Sequence, residues 1–237
     1  FYNLLESSPV YPTTSQPAYK DFINKYSYLS SHYESVIGIH LSKELSGTFS
    51  NSQRAAKAVS EQSNKEITVL NSNRLSSALG LTVLRAAEAV EQGKSHGEIV
   101  TEIQSWNNKN HILVSAKTVK YLVKSGRLSH SKGVAGKLLG VRPIISVNND
   151  GKAYTFGKAY SEKGSMRLLM KEASAVINKG KIWGYSISHI QNPETATWYA
   201  TQMEEMTGKK PLFINNCSPV LGVLGGPGTV VLSILEE

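Results

Sequence analysis

The stretch from Val36 to Val59 constrains the fold most. Val36-Ile37-Gly38-Ile39 reads as a buried strand. The segment Ser42-Lys43-Glu44-Leu45-Ser46-Gly47-Thr48 reads as a turn rich in hydroxyls, and Ala55-Ala56-Lys57-Ala58-Val59 as helix. A strand feeding a helix through such a turn presents unpartnered N–H groups at the positive end of a macrodipole, which is a place to hold a phosphate or a carboxylate. Two more apolar runs, Glu66–Leu70 and His111–Ser115, follow with helical patterns over Ser76–Gln92 and Ser95–Trp106 between them. That alternation predicts an α/β unit with a mostly parallel sheet and flanking helices.

Before this unit, Phe1–Ser7 reads as the end of a helix. Pro9, Pro12 and Pro17 then demand extended backbone, with Thr14 or Ser15 capping a helix that has Pro17 in its first turn. After it, the chain from Lys117 reads as a helix ending at Lys124-Ser125-Gly126; Arg127-Leu128-Ser129 follows, then a short helix to Leu139. From residue 140 the pattern changes. Val141–Val147 and Lys152–Phe156 flank Asn148-Asn149-Asp150-Gly151, a hairpin signal. A helix over Ser161–Asn178, a strand at Trp183–Ser188, a helix from Pro193 to Thr207, and strands at Leu212–Ile214 and Thr229–Ile234 complete the chain. The expectation is two domains: residues 1–140, α/β, and residues 141–237, α+β with antiparallel pairing.

Composition excludes several classes. No apolar run in the 237 residues approaches the roughly 20 needed to span a bilayer. The single cysteine, Cys217, rules out an internal disulfide framework and fits a reducing cytoplasm. The net charge of +8 is compatible with a nucleic acid or an anionic membrane surface as partner. The cations are dispersed, however. The densest set, Lys117, Lys120, Lys124 and Arg127, has the spacing of a solvated helix face, and no nucleic-acid-binding signature is present. Phosphate-loop, dinucleotide and metal-ligand spacings are missing, and Gly184–Ser188 misses the nucleophile elbow at its last position.

What remains is hydroxyl and backbone chemistry in four turns: Thr13-Thr14-Ser15, the Ser42/Ser46/Thr48 set, Gly126-Arg127-Leu128-Ser129, and Gly225-Gly226-Pro227-Gly228. Ordinary capping and turn-making account for each of these as well as ligand binding does. His189 reads as a structural histidine and Cys217 as a small buried hydrophobe.

Taken in order, T-S-Q-P (Thr14–Pro17), S-K-E-L-S-G-T-F (Ser42–Phe49), Y-L-V-K-S-G-R-L-S (Tyr121–Ser129), R-P-I-I with D-G-K (Arg142–Lys152), S-H-I-Q-N-P-E (Ser188–Glu194) and G-G-P-G (Gly225–Gly228) resemble the DegV family. The resemblance implies a bacterial, cytoplasmic protein of two α/β domains that binds one long-chain fatty acid between them. It implies no catalytic centre, metal or cofactor in the chain itself. Carried over onto matching positions, it places the lipid carboxylate on Thr14 and Ser46, with Arg127, Ser15 and Gly47 in support. FakB-like members present the acyl carboxylate to a separate fatty acid kinase subunit. Leu224, where the family's glycine-rich turn has a histidine, and Tyr160, where a kinase-linked arginine is usual, count against that role here. The family's opening strand, with its Asp-Ser motif, has no counterpart before Phe1. The further expectations are transient contact with an anionic membrane surface during lipid exchange and no nucleic-acid partner. The alternative is a small-molecule enzyme that uses the Ser/Thr/Arg turns as a phosphate site.

Overall fold

The computed structural model describes residues 1–128 and 140–237. The expected short helix ending at Leu139, and Ser129 with it, lie outside the described residues. Helices α1 (Tyr2–Ser7) and α2 (Tyr19–His32) precede β1 (Ser35–His40), α3 (Thr48–Ser63) and β2 (Glu66–Asn71). Next come α4 (Ser76–Glu91), α5 (His96–Trp106), β3 (Asn110–Ser115) and α6 (Lys120–Lys124). The remainder comprises β4 (Arg142–Val147), β5 (Ala153–Ala159), α7 (Glu162–Ile177), β6 (Ile182–His189), α8 (Pro193–Thr207), β7 (Ile214–Asn216), α9 (Pro219–Gly225) and β8 (Val230–Glu236).

The strands form two sheets. β1 and β2 pair in parallel, with Ser35 opposite Glu66 and His40 opposite Asn71, joined by α3 as crossover. Alternate residues of this pair face opposite cores. Val36, Ile67 and Val69 meet Tyr26, Ala55, Ala56 and Val59 of α2 and α3. Ile37, Ile39 and Leu70 meet Leu81, Ile99, Ile103 and Trp106 of α4 and α5. The second sheet has six strands in the order β5-β4-β3-β8-β6-β7, antiparallel except for β6 and β7, which α8 connects in parallel.

The sequence reading places Asn110–Ser115 with the parallel strands, and the structure corrects this: β3 lies in the six-stranded sheet, antiparallel to both β4 and β8. The physical reason is the connection. A single helix returns the chain parallel to the strand it left. Between β2 and β3 there are two helices, α4 and α5, and together they carry the chain to the other sheet. A second correction concerns α2. Ala18 is its N-cap, with Asp21 Oδ2 accepting from the Ala18 N–H at 2.9 Å. Thr14, Ser15 and Pro17 therefore stay in the extended segment ahead of the helix. Smaller shifts move β7 to Ile214–Asn216 and begin α6 at Lys120.

Strand β8 shows how the large sheet divides its faces. Val230, Leu232 and Ile234 join Leu169, Ala173, Ala196, Tyr199 and Met203 under α7 and α8. On the opposite face Leu235 reaches the α4/α5 core, and Ser233 Oγ and Ser77 Oγ of α4 are hydrogen-bonded at 2.8 Å. Val231 packs beside Ile112, Val147 and Ala78. Beyond Ala78 a cavity lies against this face.

Candidate functional site

The cavity has a volume of about 430 Å³. One wall is the large sheet, through Ile112 and Val114 of β3, Ile145 and Val147 of β4, Ala153 of β5 and Val231 of β8. Opposite lie Leu41 and Leu45 after β1, Leu75 before α4, Leu122 of α6, and Val220, Leu221 and Leu224 of α9. Polar groups enter from Thr14, Ser15, Gln16, Ser46, Thr48, Ser76 and Thr229. Among the described residues that line it, Arg127 carries the only charge.

The turn before α3 is built around Ser42, which is fully buried. Its N–H donates to Arg74 O at 2.9 Å and its Oγ donates to Gly151 O at 2.7 Å. Ser42 O in turn accepts from the N–H groups of Leu45 and Ser46. Ser42 is thus a structural anchor that does not line the cavity, whereas Ser46 and Thr48 do. Ser46 Oγ and Thr48 Oγ1 are 2.8 Å apart, and Ser46 Oγ accepts from the Thr48 N–H at 3.3 Å. No acidic residue occupies the first turn of α3, so its positive end is uncompensated from within the helix.

The Thr14–Pro17 segment reaches this turn because position 47 is glycine. Gly47 has φ −72°, which any residue adopts, so space and not conformation selects it. A Cβ there would meet Gln16 Nε2 at 2.6 Å. Asn51 Nδ2 of α3 also donates to Pro17 O at 3.0 Å. Gly47 itself does not line the cavity; it lets the segment carrying Thr14 and Ser15 approach Ser46. Thr14 is half-buried and Ser15 exposed. Arg127 follows α6 through Gly126 (φ +73°), where the left-handed backbone favours glycine. Its Nη1 donates to Ser125 O at 2.6 Å, and no carboxylate of the described residues forms an ion pair with it. The structure therefore brings Thr14, Ser15, Ser46 and Arg127 to one cavity from three separate segments.

Two lining groups carry no functional signal in the sequence. Cys217 is buried, as expected of a small hydrophobe, yet it faces the cavity, and burial pushes its thiol up from its ordinary range. Helix α9 has no helical pattern in the sequence reading. Ser218 before Pro219 is a helix-start signal that the glycines at 222 and 225 mask. His189 accepts from the Asn192 N–H on Nδ1 at 3.3 Å and supports the start of α8; burial lowers its pKa. Leu224 adds apolar wall, and Tyr160, 78% exposed, does not line the cavity. Among the described residues no group of His, Cys, Asp or Glu is placed to hold a metal ion, and no helix is long and apolar enough to cross a membrane.

Over residues 1–237 the sequence matches the model of a family described as "Uncharacterised protein, DegV family". The chain belongs to the DegV family. A DegV domain-containing protein of Clostridium acetobutylicum is 32% identical over 228 residues, covering 95% of this chain and 80% of the relative. Among solved structures, the fatty acid binding DegV family protein of Streptococcus agalactiae superposes with a TM-score of 0.88 at 25% identity, covering 100% of this chain and 82% of that one. The stearic acid-binding protein of Eubacterium ventriosum gives a TM-score of 0.89 at 17% identity, covering 99% and 81%. At that identity the likeness is one of fold.

A cavity of this kind, apolar along most of its wall with hydroxyls and one guanidinium, suits an amphiphile carrying one negative charge. The apolar wall gains from burying hydrocarbon, and charge-assisted hydrogen bonds satisfy an anion that would be costly to bury alone.

Proposed function

We propose that this protein binds a long-chain fatty acid in the cavity between the 41–48 turn and the large sheet. In this reading Thr14 and Ser46 donate hydroxyl hydrogen bonds to the carboxylate. Arg127 adds positive charge, Ser15 supports Thr14, and Gly47 admits the Thr14 segment. The acyl chain runs along Ile112, Val114, Ile145, Val147 and Val231. The observation that carries the proposal is the lining: leucine, isoleucine and valine along the wall, hydroxyls at two turns, one cation and no carboxylate among the described residues. Each methylene taken from water contributes about 0.8 kcal/mol, so the tail supplies most of the affinity and the hydroxyls fix its direction. The fatty acids bound by relatives of the same fold support the ligand class.

The same lining argues against the phosphate-site enzyme. A small phosphorylated substrate needs a polar cleft, and here isoleucine, leucine and valine would face it. Presentation of the lipid to a kinase is a separate step that this cavity does not require, and apolar Leu224 adds no donor for a headgroup. Mass spectrometry of the purified protein tests the proposal, with a co-purified fatty acid as the expected result. After delipidation, stearate or oleate should restore saturable one-to-one binding. A cavity that takes up neither acid overturns the reading.

A further inference from the structure

One side of the cavity is closed by a segment of unusual construction. Ser8–Pro17 joins α1 to α2 without regular secondary structure and carries Pro9, Pro12 and Pro17. From Tyr11 to Gln16, no backbone N–H or C=O is hydrogen-bonded to another described residue. Thr13 is exposed and does not line the cavity, while Thr14, Ser15, Gln16 and Pro17 do. The segment is fastened at its ends. At one, Asn51 holds Pro17 O, and the chain continues into α2 through Ala18. At the other, α1 packs through Leu5 and Tyr2 with Tyr121 and Val223, and the Tyr11 hydroxyl donates to Val223 O of α9. The Tyr11 ring lies 6.3 Å from that of Tyr121, and Lys124 Nζ stands 5.0 Å above it. Tyr11 thus fastens the strap to α9 and α6, both of which wall the cavity, without lining the cavity itself.

The geometry points to a gate: the strap Ser8–Pro17 swings on its junction with α2, and Tyr11 is the latch that holds it shut over the acyl cavity. The inference rests on the fatty-acid reading above. Prolines fix φ along the strap, so it moves as a stiff piece. A backbone without internal hydrogen bonds has little to lose on lifting, and with α1 held in place by Leu5 the restraint on the strap itself is the latch. Because Tyr11 does not touch the ligand, it stabilises the closed state equally with the cavity empty or filled. Loosening it must therefore speed uptake and release by the same factor and leave the equilibrium affinity unchanged.

The test uses the full chain and cis-parinaric acid, a fluorescent 18-carbon fatty acid, with uptake and release followed by stopped flow and folding checked by circular dichroism. Loss of one hydrogen bond in Tyr11→Phe should raise both rates about fivefold. The dissociation constant should stay within about twofold of the parent's. Lys124→Met, which removes only the cation over the ring, should shift both rates in the same direction by a smaller factor. It serves as the second reading should Tyr11→Phe fold poorly. Ser46→Ala should show the opposite split, with faster release, unchanged uptake and weaker affinity. Parent-like rates in both Tyr11→Phe and Lys124→Met overturn the gate while leaving fatty-acid binding intact. Release that accelerates alone, with affinity lost in proportion, makes Tyr11 a ligand contact and also overturns it. A parent protein that binds no parinaric, stearic or oleic acid overturns the fatty-acid reading, and the gate falls with it.

Discussion

Two seams close the cavity, and they are built in opposite ways. At the first, the β2–α4 turn of the small sheet meets the β4–β5 hairpin of the large one. Arg74 is 2% exposed there and has no carboxylate partner among the described residues. Its guanidinium donates to Asn73 O at 2.9 Å, Asn148 O at 3.1 Å and Asn107 O at 2.6 Å, and also to Asn110 O. Asn73 Nδ2 donates to Asn149 O at 2.9 Å, and Ser42 Oγ reaches Gly151 O. At the second seam lies the Ser8–Pro17 strap, whose middle makes no backbone hydrogen bond to other described residues. A network of hydrogen bonds converging on one buried guanidinium is rigid, and removing that member leaves several others unpaired. A proline-stiffened strap fastened at its ends is cheap to open. One cavity thus has a fixed side and a side able to move.

The comparison can be broken, and the largest effect is expected at Arg74. Arg74→Met strands the buried Asn110 carbonyl, removes the donor from the less buried Asn107 and Asn148 carbonyls, and should cost roughly 3 kcal/mol in urea unfolding. Arg74→Lys should recover less than half of that, because one ammonium cannot address carbonyls in several directions. If Arg74→Met unfolds like the parent, the seam is not the fixed one. Gly151→Ala comes next. Gly151 has φ +87°, and a Cβ would strike Ser42 Oγ; a loss of about 2 kcal/mol is expected. The pair Thr14→Val with Ser46→Ala touches the movable side. It should leave unfolding within about 1 kcal/mol of the parent, because neither hydroxyl closes a buried network. Fatty-acid affinity, read by isothermal titration, should fall about 10- to 100-fold.

The smallest effect concerns pH. His40 Nε2 lies 2.6 Å from Ser52 Oγ, and Ser52 Oγ lies 2.5 Å from the Tyr26 hydroxyl, beneath the first turns of α3. Burial holds the pKa of His40 below its ordinary value. The unfolded chain therefore takes up protons first as pH falls. The stability this group contributes is full above about pH 6.5 and is lost as pH falls from there toward the folded-state pKa. His111 and His189 shift the same way. His40→Gln should make the decline in unfolding midpoint between pH 7 and 5 shallower without abolishing it. An unchanged slope would remove His40 from the account.

Much of the fold is legible in the sequence because its signals are local. Alternating apolar runs mark β1, β2 and β4–β6. Ser95 and Glu98 form the capping box of α5, and Asp150-Gly151 turns the hairpin. What misleads is anything settled at a distance. Asn110–Ser115 has the pattern of one more parallel strand, and its partners are residues 142–147 and 230–236. Thr14 and Ser15 look like helix caps, but the helix starts at Ala18, whose N–H donates to Asp21 Oδ2, and leaves them in the extended segment. Cys217 and the α9 residues give no sign of lining a site, since an apolar residue facing a cavity and one facing a packed core have the same sequence pattern.

By itself the sequence determined the strand–turn–helix at Val36–Val59, the antiparallel style of the second half, and the hydroxyl and glycine turns whose order matches one family. Periodicity, turn chemistry and motif order act over a few residues, so they survive without knowledge of the fold. Only the tertiary structure decided that Ser42 anchors a seam while Ser46, four residues on, faces the cavity. It also decided that Arg127 joins Thr14 across more than a hundred residues, and that a cavity lies against the sheet face beside α4. Those outcomes depend on which surfaces are left unpacked once every local element has found its partners, and no single segment carries that information.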